Sequence, residues 1–281
     1  MKSLRNKVAL LTGASGGIGH AVARALATEG VDVAVSGRRA DVLEALARDL
    51  RDRGVRAAVV PADLADLDRV DSVVDRTEEA LGPVDLLINN AGVESCASFT
   101  RRTREDLTAT VDLNLTAPML LTHRVLPGML ERGAGHVVFM SSVAGKRGAA
   151  YQGPYCASKA GLVTLVQSLR TEYASTPVGF SVVCPGFVAG DGMFQRYLDE
   201  GLTPPRALGH TTLDRVAGKA LVAIRRDLPE VQVNGIPVRP VLALAEIAPR
   251  LAERVVPWFG ADRFFRRASA DRGLLDSAAE R

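Results

Sequence analysis

A tyrosine and a lysine four residues apart are the side chains of this sequence best suited to chemistry. Tyr155 and Lys159 lie at the start of an apolar stretch with helical spacing, and residues four apart on a helix share one face. The pKa of a tyrosine is ordinarily about 10, and a neighbouring ammonium favours the phenolate and lowers that pKa. The pair is therefore a candidate proton donor and acceptor. Taken alone, such a pair is more often a solvated helix face, so the rest of the sequence must decide.

A glycine-rich segment follows the first predicted strand, Val8–Leu11. It reads Thr12-Gly13-Ala14-Ser15-Gly16-Gly17-Ile18-Gly19 and leads into a helix-like pattern. Glycine lets a backbone turn tightly and approach a pyrophosphate, which then sits at the N-terminus of the helix. The spacing departs from Gly-x-Gly-x-x-Gly, so the segment predicts a dinucleotide site, with a flexible strand-to-helix turn as the alternative.

The end of the second predicted strand distinguishes two dinucleotides. An acidic side chain there pairs with the ribose 2′-hydroxyl of NAD, whereas an arginine accommodates the 2′-phosphate of NADP. The sequence reads Ser36-Gly37-Arg38-Arg39, and the next carboxylate, Asp41, is better explained as an acid in the first turn of the following helix. We therefore expect NADP(H) in preference to NAD(H), with Arg38 as the main phosphate contact and Arg39 in support. The alternative is that both arginines are solvated loop charges.

Composition excludes several classes of function. The 281 residues carry 35 Lys and Arg against 32 Asp and Glu, a net charge of only +3, and the basic residues form no block, so nucleic acid is not an expected partner. The three cysteines and four histidines have no paired spacing, which predicts neither a disulfide framework nor a metal site and favours a reducing cytoplasm. No apolar run is long enough for a spanning helix or a signal peptide.

Short apolar runs alternate with amphipathic segments along most of the chain. Alternation of this kind predicts βαβ units and a parallel sheet covered on both faces. We expect one doubly wound α/β domain over residues 1–240, with a loop-rich substrate lid at about 189–215. The predicted strands are Val8–Leu11, Val31–Val35, Ala57–Val60, Val84–Ile88, His136–Met140 and Phe180–Cys184, and the predicted helices are Ile18–Thr28, Asp41–Arg53, Leu67–Leu81, Glu105–Leu130 and Pro154–Ala174.

Several motifs in a fixed order resemble the short-chain dehydrogenase/reductase family. The resemblance covers roughly Lys7 to Val188 and implies a single Rossmann-type domain with a seven-stranded parallel sheet. It also implies an NAD(P)-dependent oxidoreductase acting on a carbonyl/alcohol pair. The motifs are Thr12-Gly13-x-x-x-Gly17-x-Gly19, Asn89-Asn90-Ala91-Gly92, Asn114, Ser142 and Tyr155-x-x-x-Lys159.

The resemblance also implies a role for individual side chains. Tyr155 would be the acid and base, and Ser142 would bind the substrate carbonyl; Ser142 is preferred to Ser141 because its distance in sequence from Tyr155 matches the family's usual interval. Lys159 would support Tyr155 and bind the nicotinamide ribose, while Asn114 would hold a water that links Lys159 to solvent. The implied cofactor contacts are Gly13, Ser15, Gly17, Ile18, Gly19, Arg38, Arg39, Asp63, Leu64, Asn90, Ala91, Gly92, Tyr155, Lys159, Pro185, Gly186 and Val188.

Two departures from the family pattern affect the assembly and the cofactor contacts. Many relatives carry a threonine after the residue equivalent to Val188, where this chain has Ala189-Gly190. Many bacterial relatives end with a final strand and a glycine-rich tail that builds a tetramer interface, whereas this chain runs through Val231 to Gly235 into an apolar, basic segment. We therefore expect a homodimer, formed by the helices around Asp106–Leu130 and Pro154–Ala174, in preference to a tetramer.

The segment 241–281 is predicted to be a helical extension. Its aromatic residues Trp258, Phe259, Phe264 and Phe265 lie among several arginines. The segment could pack on its own domain, cap a lipophilic pocket, dock on a partner subunit, or lie on a membrane surface as an interfacial helix does. Similar endings in relatives that act on lipophilic carbonyls favour a lipophilic ketone, aldehyde or alcohol as substrate. The alternatives are a nicotinamide-binding sensor or scaffold without catalysis and a reductase associated with a membrane surface.

Overall fold

A seven-stranded parallel sheet forms the centre of the protein in a computed structural model that describes residues 3–205, 209–255 and 260–269. The sheet order is β3-β2-β1-β4-β5-β6-β9, so the direction of winding reverses between β1 and β4. Two short strands, β7 and β8, pair separately. The strands are β1 (Val8–Leu11), β2 (Asp32–Gly37), β3 (Ala57–Pro61), β4 (Leu86–Asn89), β5 (Gly135–Met140), β6 (Val178–Pro185), β7 (Val188–Ala189), β8 (Thr211–Thr212) and β9 (Glu230–Val233).

Helices connect the strands and cover both faces of the sheet, as parallel connections require. Pro154 lies in the first turn of α6, a position where its missing N–H costs nothing. The helices are α1 (Gly17–Thr28), α2 (Ala40–Asp52), α3 (Val70–Leu81), α4 (Arg104–Val111), α5 (Ala117–Glu131), α6 (Gly153–Glu172), α7 (Met193–Asp199), α8 (Leu213–Arg226), α9 (Arg239–Ile247), α10 (Pro249–Val255) and α11 (Ala261–Ala268).

Alternate residues of the strands divide the core into two halves. In β1, Ala9 and Leu11 belong to the half that packs against α1 and α8, while Val8 and Leu10 belong to the half that packs against α3, α5 and α6. Strands buried on both faces read as continuous apolar runs, which is why the sequence located them well. The predicted doubly wound α/β fold is therefore confirmed.

The structure differs from the predicted elements in several places. The single helix predicted over 105–130 is divided by a π-helical turn, Asp112–Thr116, which joins α4 to α5. Leu67–Arg69 is a separate 3₁₀ turn before α3. The final strand is present, because β9 pairs in parallel with β6, so the chain end departs from the pattern of many bacterial relatives only after Val233.

The segments that follow β6 lie over one end of the sheet. The stretch predicted as a loop-rich lid contains the helix α7 between β7 and β8. Beyond β9, helices α9, α10 and α11 follow, with Phe264 and Phe265 of α11 buried; Trp258 and Phe259 lie outside the described residues. Within the described part of the chain, none of the helices has both the length and the apolarity needed to cross a membrane.

Candidate active site

The register of the central strands brings two of the predicted motifs together. Leu11 lies opposite Ile88 of β4, so the glycine-rich loop and the Asn-Asn-Ala-Gly loop leave the sheet side by side. Asn90 Nδ2 donates to the carbonyl oxygens of Thr12 (3.0 Å) and Gly13 (3.1 Å), and Thr12 Oγ1 accepts from the backbone N–H of Asn90 (3.0 Å). Gly13 has φ +63°, and a Cβ there would lie 2.7 Å from the Cα atom of Ala91. Glycine is therefore required where the two loops meet.

The N-terminus of α1 faces the same space. Its N-cap is Gly16, and no side chain caps the first turn. Gly19 lets the helix approach the loop, because a Cβ there would lie 2.4 Å from the Gly13 carbonyl oxygen. Uncapped N–H groups at a helix start are donors for an anion such as a pyrophosphate. The residues of this chain thus fit the dinucleotide that the glycine pattern predicts.

The two arginines after β2 are placed differently. Arg39 donates to the carbonyl oxygen of Ser15, so it supports the glycine-rich loop. Arg38 is exposed at the edge of the same cavity and makes no hydrogen bond or ion pair with the described residues. A guanidinium held beside a dinucleotide cavity in this way is available to a phosphate group.

Ser142, and not its neighbour, faces the candidate acid. Tyr155 is buried, and the neighbouring Ser142 side chain acts to lower the pKa of its phenol. Ser142 Oγ also donates to the Pro185 carbonyl oxygen at 3.4 Å. Ser141 Oγ is buried and donates instead to the Lys159 carbonyl oxygen at 2.7 Å. The two adjacent serines therefore separate into one that faces the cavity and one that braces α6.

Lys159 lies beneath the tyrosine ring. Its Nζ donates to the Met140 carbonyl oxygen at 2.8 Å and is 5.8 Å from the centre of the Tyr155 ring. Burial lowers the pKa of Lys159 to about 8. Burial, followed by the charge of Glu94, raises the pKa of Tyr155 above its usual range. The expectation that Lys159 brings the Tyr155 pKa below its ordinary value is therefore wrong here, because burial and the charge of Glu94 outweigh the lowering effect of the Ser142 side chain.

Asn114 occupies the π-helical turn and is fully buried. Its Oδ1 accepts from the Val93 N–H at 2.8 Å, and its Nδ2 donates to the Val93 carbonyl oxygen at 2.9 Å. Gly92 separates Asn114 from Lys159, since a Cβ on Gly92 would lie 3.0 Å from Asn114 Oδ1 and 3.2 Å from Lys159 Nζ. A π-helical turn is often found at functional sites, and this one places Asn114 behind the lysine. That Asn114 holds a water for Lys159 stays a prediction.

A cavity of about 1070 Å³ connects these parts. It extends from Arg38 and the glycine-rich loop, past Tyr155, to the aromatic side chains of the C-terminal half. Apart from Asn114, which lies behind Gly92, all residues predicted to bind the cofactor or to act in catalysis line this cavity. They are Gly13, Ser15, Gly17, Ile18, Gly19, Arg38, Arg39, Asp63, Leu64, Asn90, Ala91, Gly92, Ser142, Tyr155, Lys159, Pro185, Gly186 and Val188.

Comparison with known proteins identifies the family. Residues 7–200, more than half of the chain, match the family model described as short chain dehydrogenase. The chain belongs to the short-chain dehydrogenase family. It is an oxidoreductase of that family, whose members bind NAD(P).

Relatives of this short-chain dehydrogenase include enzymes named as ketoacyl reductases. The ketoacyl reductase HetN of Nostoc sp. (strain PCC 7120) is 36% identical over 277 residues, 97% of this chain and 96% of the relative. A putative ketoacyl reductase of Streptomyces coelicolor is 38% identical over 67% of this chain and 73% of the relative. A crystal structure of a variant of actinorhodin polyketide ketoreductase with NADPH has a TM-score of 0.76 and 31% identity, and it covers 84% of this chain and 98% of the solved chain.

Sequence reasoning missed part of the wall of this short-chain dehydrogenase's cavity. Phe187 stacks on Phe265 with ring centres 6.0 Å apart, and both line the cavity. Phe187 lies between the implied cofactor contacts Gly186 and Val188, and Phe265 lies in the aromatic C-terminal segment, so the sequence carries a signal for each. Glu94 and Tyr197 also line the cavity, but their sequence surroundings carry no motif, and only folding brings them together.

Proposed function

We propose that the protein is an NADP(H)-dependent reductase that converts a lipophilic ketone or aldehyde to an alcohol, with Tyr155 as the acid. The observation that supports this most is the shared cavity, whose wall contains Tyr155 and Ser142 together with the glycine-rich loop and Arg38. A sensor or scaffold without catalysis has no need of a buried phenol beside a buried ammonium, and this counts against the binding-only alternative.

Each side chain has a distinct part in the proposed reaction. When bound, NADPH supplies the hydride that the carbonyl carbon receives. Ser142 donates a hydrogen bond to the carbonyl oxygen, and Tyr155 gives that oxygen its proton. Lys159 binds the nicotinamide ribose and, with Asn114 and a water, returns a proton to Tyr155. The reverse oxidation uses the same groups, with the phenolate of Tyr155 as base.

The lipophilic character of the proposed substrate rests on the wall of the cavity. Phe187 and Phe265 form an aromatic surface at the end away from Arg38, and pockets of this kind bind apolar ligands with a few polar groups setting orientation. One relative named as a ketoacyl reductase matches over nearly the whole chain, which adds a 3-ketoacyl thioester as a second candidate substrate.

The test follows NADPH oxidation across a graded panel of carbonyls. The panel runs from acetone and ethyl acetoacetate to 2-decanone, 1-decalone and a 3-ketoacyl thioester of N-acetylcysteamine. We expect turnover of the lipophilic members, and Tyr155→Phe should lose it by roughly 100-fold or more, because general acid catalysis contributes about that much. NADPH binding, followed by its fluorescence, should remain near that of the wild type. Undiminished turnover by Tyr155→Phe would overturn the assignment, and no turnover with any carbonyl would favour the binding-only alternative.

Assembly and location are part of the same proposal. We expect a homodimer formed by α4, α5 and α6, in preference to a tetramer, and a cytoplasmic protein. Peripheral contact with a membrane through residues 241–281 stays a prediction.

A further inference from the structure

Glu94 makes contacts that link three separate elements at the substrate end of the cavity. It belongs to the loop after β4, and its Oε1 accepts from Tyr197 of α7 at 2.8 Å. The same oxygen accepts from the side chain of Gln152, the N-cap residue of α6, which is almost fully buried. All three side chains line the cavity. One carboxylate thus joins the lid to the first turn of the helix that carries Tyr155.

We propose that Glu94 is a positioning residue for the reduction: it holds the lid helix α7 against the start of α6, and it thereby places a carboxylate next to the first turn of the helix that carries Tyr155. The inference rests on the proposed function, because it presumes that Tyr155 is the proton donor. It goes beyond that function by connecting closure of the lid with the state of the acid.

The groups that surround Tyr155 determine the direction in which its pKa is shifted. Burial is the largest cause of its raised pKa, and the negative charge of Glu94 is the next. A like effect reaches the thiols of Cys96 and Cys156, whose pKa values are raised first by burial and also by Glu94. Besides the phenol, the charge of Glu94 therefore acts on one thiol of the loop after β4 and one of α6. The titratable and polar groups that face the phenol are Glu94 from the loop after β4, Ser142 from the turn after β5, Cys156 and Lys159 from α6, and Cys184 from β6.

Besides its hydrogen bond to Glu94, Tyr197 makes an aromatic contact that also holds the lid helix. The rings of Tyr197 and Phe264 meet edge-on, with their centroids 5.3 Å apart. The Phe264 ring in turn contacts the Phe187 ring, with a centroid separation of 5.6 Å. The lid helix is therefore held by an aromatic contact on one side and by the carboxylate of Glu94 on the other. Loss of the carboxylate contact should loosen α7 without removing the aromatic one.

The first experiment measures hydrogen exchange in the lid and needs no substrate. Tyr197→Phe removes the donor to Glu94 and keeps the ring that packs on Phe264. We expect amide exchange over residues 193–199 to become roughly tenfold faster, because a hydrogen bond to a charged acceptor is lost. Tyr173→Phe is the control, since it also removes a phenol hydroxyl beside a carboxylate, that of Glu172, which raises the Tyr173 pKa at the far end of α6. Its exchange over 193–199 should equal that of the wild type.

The second experiment separates the charge of Glu94 from its contacts. Glu94→Gln keeps an oxygen that can accept from Tyr197 and Gln152 but removes the negative charge. The pKa of Tyr155 should then fall, so alcohol oxidation, which uses the phenolate, should become roughly tenfold faster at a fixed pH for each pKa unit lost. The alkaline limit of carbonyl reduction should move to lower pH. The substrate is the panel carbonyl turned over fastest, with its alcohol, and Tyr197→Phe should raise the KM for that carbonyl while leaving kcat nearly unchanged.

Either experiment can overturn the inference. If amide exchange in Tyr197→Phe equals that of the wild type, the contact with Glu94 does not hold the lid helix. If the pH profile of Glu94→Gln equals that of the wild type, the charge of Glu94 does not affect the pKa of Tyr155. These outcomes differ from failure of the proposed function, in which Tyr155→Phe itself retains turnover. Thermal melting of each variant shows whether a change reflects unfolding.

Discussion

Tyr155 lies in an environment that keeps its proton in place. Burial and the charge of Glu94 raise the pKa of the phenol, whereas burial lowers the pKa of Lys159 to about 8. At neutral pH the phenol is therefore protonated, which is the form that delivers a proton to a carbonyl oxygen. At the scale of the single residue, this environment supports the proposed role of Tyr155 as the acid in reduction.

The choice of dinucleotide also depends on single residues. Gly37→Asp with Arg38→Ala should lower the ratio of kcat/KM for NADPH to that for NADH by roughly tenfold to 100-fold, because a charge-assisted contact worth about 1.5–3 kcal/mol is lost and a carboxylate is added for the ribose. A Cβ on Gly37 would lie 3.3 Å from Ser15 Oγ, and a small rotation of that hydroxyl makes room for it. Steady-state kinetics with both cofactors measures the ratio.

The control for this change is Arg48→Ala. Arg48 is an exposed arginine of α2 that lies away from the cavity, so its removal alters the net charge of the protein by the same amount as the loss of Arg38. Its cofactor ratio should match the wild type. A ratio that stays the same in the Gly37 and Arg38 double variant counts against Arg38 as the phosphate contact.

At the scale of the element, α11 closes the substrate end of the cavity. Phe264 and Phe265 are buried in contact with Phe187, and the Cys96 thiol donates to the Phe265 carbonyl oxygen at 3.2 Å. Helix α11 is therefore fastened both through its side chains and through its backbone. An element that lies outside the family match of residues 7–200 thus forms one wall of the site.

Phe265→Ala tests that wall. We expect the KM for lipophilic carbonyls of the panel to rise roughly tenfold, since about 1.5–3 kcal/mol of apolar contact is lost, while the smallest carbonyls change little. The control is Phe99→Ala, because Phe99 is 67% exposed and lies outside the main cavity. An equal rise for small and large carbonyls would show that α11 supports the fold and does not select the substrate.

At the scale of the whole molecule, a polar cluster lies at the opposite end of the sheet from the cavity. His136 Nε2 is 2.8 Å from Ser181 Oγ, and that hydroxyl donates to the Leu228 carbonyl oxygen at 2.6 Å. Because the hydroxyl proton is used in this way, the histidine is the donor to Ser181. Burial lowers the pKa of His136 to about 4, so a neutral imidazole is built into the fold.

This histidine should make the fold sensitive to acid. Its pKa is lower in the folded than in the unfolded chain, so the unfolded chain binds more protons between about pH 6.5 and 4, and stability falls as the pH falls through that window. Between pH 7 and 5 the wild type should lose about 2 kcal/mol more unfolding free energy than His136→Gln, which keeps a donor for Ser181. Urea unfolding at both pH values measures the difference. His123→Gln, at an exposed position of α5, should behave as the wild type, and an equal loss in all three proteins would contradict the assignment.

The expected dimer is also a property of the whole molecule. Met119 and Leu120 of α5 are partly exposed apolar side chains on one of the helices that we expect to form the interface. The double variant Met119→Glu, Leu120→Glu should be a monomer, because a charge buried in an apolar interface costs several kcal/mol. Sedimentation velocity measures the change from dimer to monomer. Ile247→Glu on α9, where the side chain is 83% exposed, should leave the dimer intact. A double variant that still sediments as a dimer would place the interface elsewhere.

The sequence by itself determined the first six strands of the sheet, the helices between them and the family motifs. Strands such as β1 and β5 are buried on both faces and therefore read as continuous apolar runs, and glycines such as Gly13 are required by the backbone itself. Such signals are local, so no knowledge of distant residues is needed. Element ends and the π-helical turn at Asn114 were less well predicted, because tertiary contacts, here with Val93, decide them.

Only the tertiary structure decided how the site behaves. The sequence places Tyr155 and Lys159 on one helix, but burial and the charge of Glu94 set the direction of the Tyr155 pKa, and both depend on residues distant in the chain. The meeting of Glu94 with Tyr197, and of Phe187 with Phe265, likewise spans long separations that no local pattern encodes. Spacing along a helix predicts which groups can meet, whereas desolvation and charge are sums over every neighbour that folding brings close.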